Sequence, residues 1–204
     1  MMQSIPLQCN APDTSMRAGI SARLQSSVRC LVSCLLLVCA ASAAASGPHI
    51  HDSTRLSVSL DARTPQQIAA FYEARGFSRP MIELLRAQCY LTVFIHNKGA
   101  DVLWLDLGHW RFADAEGAVE RLDRGFWQRR WQDMAIPAAH RATFRWTLLP
   151  ERLDFRADER EGGNIILPRT GRPFTVSARF DTGADRSGVP IEITFNDVQC
   201  ADTP

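Results

Sequence analysis

Between Arg55 and Cys200 the spacing of apolar residues changes several times, and each change predicts an element. RLSVSL, which starts at Arg55, alternates, so Leu56, Val58 and Leu60 share one side of a strand. In TPQQIAAFYEARGF the period becomes helical. Ile68, Phe71 and Tyr72 recur on one face, Thr64 is placed to cap, Pro65 suits the first helical position and Gly76 ends the turn. PMIELLRAQ, after Ser78, predicts a second short helix with an apolar stripe of Met81, Leu84 and Leu85.

From Cys89 the period returns to two. YLTVFIHN reads as a strand, NKGAD as a hairpin turn, and VLWLDL as the partner strand, with WRF continuing that edge. DAEGAVERLDRGFWQRRWQDM predicts a helix over 114–136 that covers Val119, Leu122, Phe126 and Trp127, and Pro137 stops it. TFRWTLL then predicts a strand with Phe144, Trp146 and Leu148 on one face. ERLDFRADEREGGN reads as a long irregular loop, turning at Gly162-Gly163-Asn164 into a short strand over 165–167. PFTVSARF places Phe174, Val176, Ala178 and Phe180 on one face, and IEITFNDVQC does the same for Ile191, Ile193 and Phe195.

Short alternating strands separated by turn signals predict a mainly β, antiparallel domain over 55–200, with helical insertions near 65–88 and 114–136 and a tail at 201–204. The order Cys89, Trp104, Cys200 resembles that of immunoglobulin domains, and the resemblance implies an immunoglobulin-like β-sandwich. It implies architecture only, because fold does not specify function.

The first 45 residues differ from the rest. Arg17, Arg23 and Arg29 precede the apolar run CLVSCLLLVCA, and ASAAAS follows with the small residues of an A-x-A cleavage site. This predicts a signal peptide over 1–45 and a periplasmic or secreted mature chain that meets the membrane only during export. Leu31-Val32-Ser33-Cys34 resembles a bacterial lipobox, which gives lipoprotein anchoring as the alternative. Residues 46–54 are then expected to be a flexible mature N-terminus.

Cleavage removes three of the 23 basic side chains and Asp13 from the 22 acidic ones, leaving 20 and 21. Such a balance lacks the basic patch expected of a nucleic-acid binder. Cleavage also leaves only Cys89 and Cys200, an even pair that predicts a disulfide in an oxidising compartment.

Candidate chemistry is sparse. Asp181-Thr182-Gly183-Ala184-Asp185 resembles the element carrying the catalytic carboxylate of retropepsin-like aspartic proteases, where two aspartates share a proton and activate water. Arg179 interrupts the apolar approach that element needs, and the 23 residues after Asp181 leave no room for a flap. The same letters are turn formers between two alternating strands, so DTGADRSGVP predicts a hairpin with Gly183 or Gly188 at positive φ. An aspartic-type protease is the remote alternative, and no catalytic residue is assigned.

His49 and His51 alternate near the expected mature N-terminus and, with Asp52, form a candidate copper or zinc site. No other cofactor is implied. Of the five tryptophans, Trp110 and Trp131 lie outside the strongest apolar stripes and are the two expected at the surface. With Arg156, Arg160 and Asn164 of the segment from Pro150 to Pro173, they make up the candidate partner surface. The resulting expectation is a non-enzymatic cell-envelope protein that binds a protein or glycan partner, with a periplasmic copper- or zinc-binding protein as the alternative.

Overall fold

The computed structural model describes residues 47–202. The expected signal peptide and lipobox lie outside these residues. In chain order the elements are β1 (His49–Asp52), β2 (Leu56–Arg63), α1 (Pro65–Glu73), α2 (Arg79–Arg86), β3 (Cys89–Asn97) and β4 (Leu103–Asp106). A 3-10 turn (Leu107–His109) precedes β5 (Arg111–Asp114), β6 (Gly117–Ala118), α3 (Arg124–Asp133) and α4 (Ala138–Trp146). The chain closes with β7 (Arg152–Phe155), β8 (Arg160–Leu167), β9 (Phe174–Thr182) and β10 (Gly188–Val198).

The described residues are mainly β, with two antiparallel sheets and four helices. One sheet has the order β1-β2-β3-β8. The other is built around β9, which pairs with β10 on one side and with β4 and then β5 along the other. β7 flanks β4, and β6 flanks β5. Alternation explains the packing: Leu56, Val58 and Leu60 of β2, Leu91, Val93 and Ile95 of β3, and Phe174, Val176, Ala178 and Phe180 of β9 all enter one core. The expected hairpin joins β9 to β10, with Gly183 at φ +88°.

The four helices enclose a second core against one end of the β1-β2-β3-β8 sheet, where Tyr90 and Ile166 meet Tyr72, Met81, Leu85, Trp127, Trp131 and Phe144. α1 starts as its sequence dictates. The Thr64 hydroxyl accepts from the Gln67 amide at 3.2 Å, and the Gln67 side chain accepts from the Thr64 amide at 2.9 Å.

Four expectations are corrected. Residues 49–52 are not a loose tail: β1 pairs with β2, from His49 opposite Leu60 to Asp52 opposite Ser57. β3 and β4 are not a hairpin, because NKGAD carries the chain from one sheet to the other. The buried Asn97 amide holds that crossing, donating to the carbonyls of Asp101, Phe155 and Arg156 at 2.7–3.0 Å. The helix expected over 114–136 begins only at Arg124, where the Asp123 carboxylate accepts from the Phe126 amide at 2.7 Å. Upstream of it, in a stretch that is neither helix nor strand, the Val119 and Leu122 amides donate to the Phe112 and Ile166 carbonyls.

The fourth correction concerns residues 138–167. TFRWTLL belongs largely to α4, since Phe144 and Leu148 are four residues apart and both enter the helical core. The charged stretch read as a loop carries β7, which pairs with β4, and the first half of β8, which pairs with β3, so the turn between them, with Asp158 at φ +63°, crosses from one sheet to the other.

Cys89 opens β3 and Cys200 follows β10, and their disulfide ties the two sheets across 111 residues of sequence. Replacing both cysteines with alanine is expected to lower the unfolding free energy by about 4–5 kcal/mol, because a loop of roughly a hundred residues is released in the unfolded chain. Urea unfolding of the double variant against the oxidised protein measures this, and coincident curves would refute it.

Tyr72 and Tyr90 are the chain's two tyrosines. Burial pushes Tyr72 up from 10.0 to about 12 and Tyr90 well above 10.0. The folded state therefore holds both protons more tightly than the unfolded chain. Both contributions to stability are complete below pH 10, and that of Tyr72 is lost as pH rises through about 12. Alkaline titration of the folded protein is expected to show no tyrosinate absorbance near pH 10, where an ordinary tyrosine is half ionised.

Candidate functional site

Residues paired across a sheet share a face, so the register defines what the outer side of β1-β2-β3-β8 presents. One row runs Ile50, Ser59, Phe94, Gly162, and the next runs Asp52, Ser57, His96, Arg160. On the other side of the Phe94 row, Asp61, Thr92 and Asn164 align. The helices cover the Tyr90–Ile166 end of this face and leave the Phe94 end open.

The edges of α1 and α4 wall the open area. Phe71 of α1 and Arg75 just past its end, Thr143 and Trp146 of α4, and Thr92, Phe94 and Asn164 of the sheet line a cleft of about 700 Å³. A smaller cleft of about 380 Å³ includes Ser57, Ser59, His96 and Arg160. Both include Phe94, Glu161 and Gly162, so together they form one trough along the sheet. Trp146 is 83% exposed, Ile50 64%, Phe94 55% and Phe71 37%, which concentrates large exposed apolar side chains on this side of the molecule.

The trough owes its shape to small residues. A β-carbon on Gly162 would come within 2.6 Å of the Phe94 ring, so the ring lies directly over the glycine. A β-carbon on Gly163 would collide with the backbone of Leu149, so glycine admits the chain leaving α4 against β8.

Polar groups in the trough form a directed chain. The Arg63 guanidinium donates to the Thr92 hydroxyl at 2.9 Å, and that hydroxyl donates to the Asn164 side-chain oxygen Oδ1 at 2.9 Å. The Asn164 amide donates to the Thr147 carbonyl at 2.8 Å. Thr147 gives its own proton to the Phe144 carbonyl at 2.7 Å, so the Tyr72 phenol, 2.8 Å away, is the donor to the Thr147 hydroxyl. At the far end the Asp158 carboxyl is held below its ordinary range, first by the hydrogen bond from His96 at 2.7 Å and then by Arg160. Over α1, the Arg75 guanidinium lies 3.4 Å from the centre of the Phe71 ring.

Of the residues singled out from sequence, Asn164 lies inside the trough and Arg160 at its end. Arg156 is exposed at the β7–β8 turn. Trp110 and Trp131 are not at the surface: they are 3% and 2% exposed. Trp110 packs edge-on to Phe180 between the sheets, and Trp131 stacks on Trp127 under the helices.

His49 and His51 share one face of β1, opposite Leu60 and Val58, but Asp52 turns the other way and pairs with Lys98 at 3.0 Å. No group of three His, Cys, Asp or Glu side chains arranged for a metal occurs among the described residues. Asp181 lies on β9 beside Arg179 at 3.2 Å and His109 at 3.8 Å. Trp104, on β4, donates to the Gly183 carbonyl at 2.7 Å, at the opposite end of β9 from the disulfide.

The residues missed from sequence are Phe71, Phe94, Trp146 and Gly162. Phe94 left a readable signal, since it is an aromatic on the polar face of an alternating strand whose other outward positions are Thr92 and His96.

No protein-family model and no curated protein matches this chain. Among solved structures, the ycdA protein of Bacillus subtilis subsp. subtilis str. 168, a candidate lipoprotein, is similar with a TM-score of 0.38 and 12% identity. That similarity covers 74% of this chain and 39% of the other, so the chain spans about two fifths of its length. The yjhA protein of Bacillus subtilis is similar with a TM-score of 0.36 and 6% identity, over 64% of this chain and 76% of the other. Likenesses of this size assign neither a family nor an activity.

Proposed function

We propose that this chain is an exported, non-enzymatic envelope protein that binds a glycan chain along the trough on the open face of β1-β2-β3-β8. The observation that carries the reading is Trp146, 83% exposed on α4 and lining the same cleft as Phe94, Thr92 and Asn164. Aromatic faces take up the apolar C–H faces of sugar rings, and neighbouring hydroxyl, amide and guanidinium groups take up sugar hydroxyls. The trough alternates the two kinds of group: Ser59 stands between Ile50 and Phe94, and Thr92 and Asn164 lie beside Phe94. A protein interface of usual size has a more continuous apolar centre, so a glycan is favoured over a protein partner.

Glycoside hydrolysis generally uses two carboxyl groups that flank the bond to be cut. Among the described residues lining the cleft at Phe94 and Trp146 the one carboxylate is Glu161, and Asp158 at the far end is engaged by His96 and Arg160, which supports retention of a glycan rather than its cleavage. The disulfide supports an oxidising compartment outside the cytoplasm. No helix among the described residues is long and apolar enough to cross a membrane. We read the sheet pair as an immunoglobulin-like sandwich, and the bridge between its sheets supports this.

Soluble glycan strands released from bacterial cell walls are expected to change tryptophan emission saturably. Trp146→Ala is expected to weaken that binding by at least about tenfold, which is ~1.4 kcal/mol. Its exposure means the substitution should leave the unfolding midpoint within experimental error. A flat titration, or equal affinity in the variant, would overturn the reading.

A further inference from the structure

The second core has an outer side that the glycan reading leaves unused. Between α3 and α4 lies a cleft of about 530 Å³, within the size range of small-ligand sites. Its apolar walls include Trp127, Trp131, Phe144 and Ala138, and its charged groups are Arg124, Arg141 and Arg145, with no carboxylate. By contrast, the trough includes Glu161, and the cleft beside Trp110 includes Glu120 and Asp123.

Three guanidinium groups around one cleft raise one another's energy unless an anion joins them. Elsewhere several arginines of this nearly neutral chain are matched with acids: Arg172 with Asp114 and Glu116, Arg121 with Glu151, and Arg179 with Asp181 and Glu192. Arg124, Arg141 and Arg145 have no ion-pair partner among the described residues.

Unused donors add to the charge. The indole N–H groups of Trp127 and Trp131 are buried without an acceptor, although the two residues are 1% and 2% exposed. Such orphan donors are costly in a folded protein. The Arg141 Nε is buried and unpartnered as well. α4 begins after Pro137 with no side-chain cap, and its first residue, Ala138, lines the cleft. The positive end of that helix therefore adds to the same field.

We infer that this cleft binds a small organic anion with an apolar body, such as an aromatic or acyl carboxylate or phosphate. The guanidinium groups hold the anionic head, since their planar forks match a carboxylate or phosphate. Trp127, Phe144 and Ala138 contact the body. The site is separate from the trough, so its occupancy is independent of glycan binding.

Calorimetric titration with 3-phenylpropionate, 3-phenylpropanol and inorganic phosphate tests the inference on the disulfide-bonded protein. Saturable binding of 3-phenylpropionate is expected, at least about tenfold tighter than either the neutral alcohol or phosphate, because loss of a charge-assisted contact or of apolar burial has effects of that order. Arg141→Gln and Arg124→Gln should each weaken it by about tenfold, Arg141→Lys should restore part of the loss, and raising salt should weaken binding to the unsubstituted protein. Trp146→Ala should leave it within about twofold, as expected of a non-contacting residue.

Equal affinity for the alcohol would overturn the role of the anionic head, and equal affinity for phosphate would overturn the role of the apolar body. Absence of saturable binding to the unsubstituted protein would overturn the site itself. Each variant is read only with an unfolding midpoint matching the parent, and the salt dependence requires no variant.

Discussion

The approach of the chain leaving α4 to strand β8 is the contact on which the rest of the architecture turns. Gly163 admits the Leu149 backbone, and Asn164 then fixes it from three atoms. The Asn164 amide N–H and side-chain amide both donate to the Thr147 carbonyl, and the Asn164 carbonyl accepts from the Leu149 amide. Residues 147–149 thus become an extension of the sheet edge, and α4 is held beside it. The side chain that anchors α4 also lies in the trough, so the packing that sets the position of Trp146 sets the position of a polar group a ligand would meet. Preorganisation of this kind lowers the ordering cost of binding.

The two cores divide the remaining structural demands. The sheet-to-sheet core is closed by the disulfide at one end and by the buried Asn97 crossing at the other. The helical core has neither device. It relies on aromatic packing, with Trp127 against Trp131 at 5.1 Å and Phe144 within 5.1 Å of both. Local openings with the lowest free energy are therefore expected in the helical layer rather than between the sheets, because stability within a domain follows the density of such contacts.

How much of this was legible in the sequence depended on whether one periodicity stood alone. β2, β9 and β10 alternate without a competing signal, and their buried faces follow directly. α1 carries its own cap. The segment through α4 satisfies both periods: Phe144, Trp146 and Leu148 alternate, yet Phe144 and Leu148 also sit one helical turn apart. The choice between the periods places Trp146 either in a core or opposite it, so the misreading of one element concealed the most exposed tryptophan.

Charge concealed β7 and the first half of β8 in a similar way, whereas residues 165–167 read as a strand. Arg152 and Asp154 alternate with Leu153 and Phe155, but the neighbouring acids and arginines resemble a solvated loop. Trp110 and Trp131 show the converse, because sequence separates an exposed tryptophan from a buried one only through neighbours that tertiary contact supplies.

α4 joins these threads, because successive helical residues advance by about 100° around the axis and so face different surroundings. Phe144 enters the core, Trp146 turns toward the trough, and Arg141 and Arg145, four residues apart on one side, border the cleft against α3. Nine residues thus serve a core and two separate surfaces. The C-terminal end is clamped through Thr147 to Asn164 and Tyr72, whereas the N-terminal end follows Pro137 without a side-chain cap. An anion bound near Ala138 would supply negative charge where the helix lacks a cap, and would tighten the end that the sheet does not hold. Because the clamp isolates the Trp146 end, that tightening would leave the trough in place.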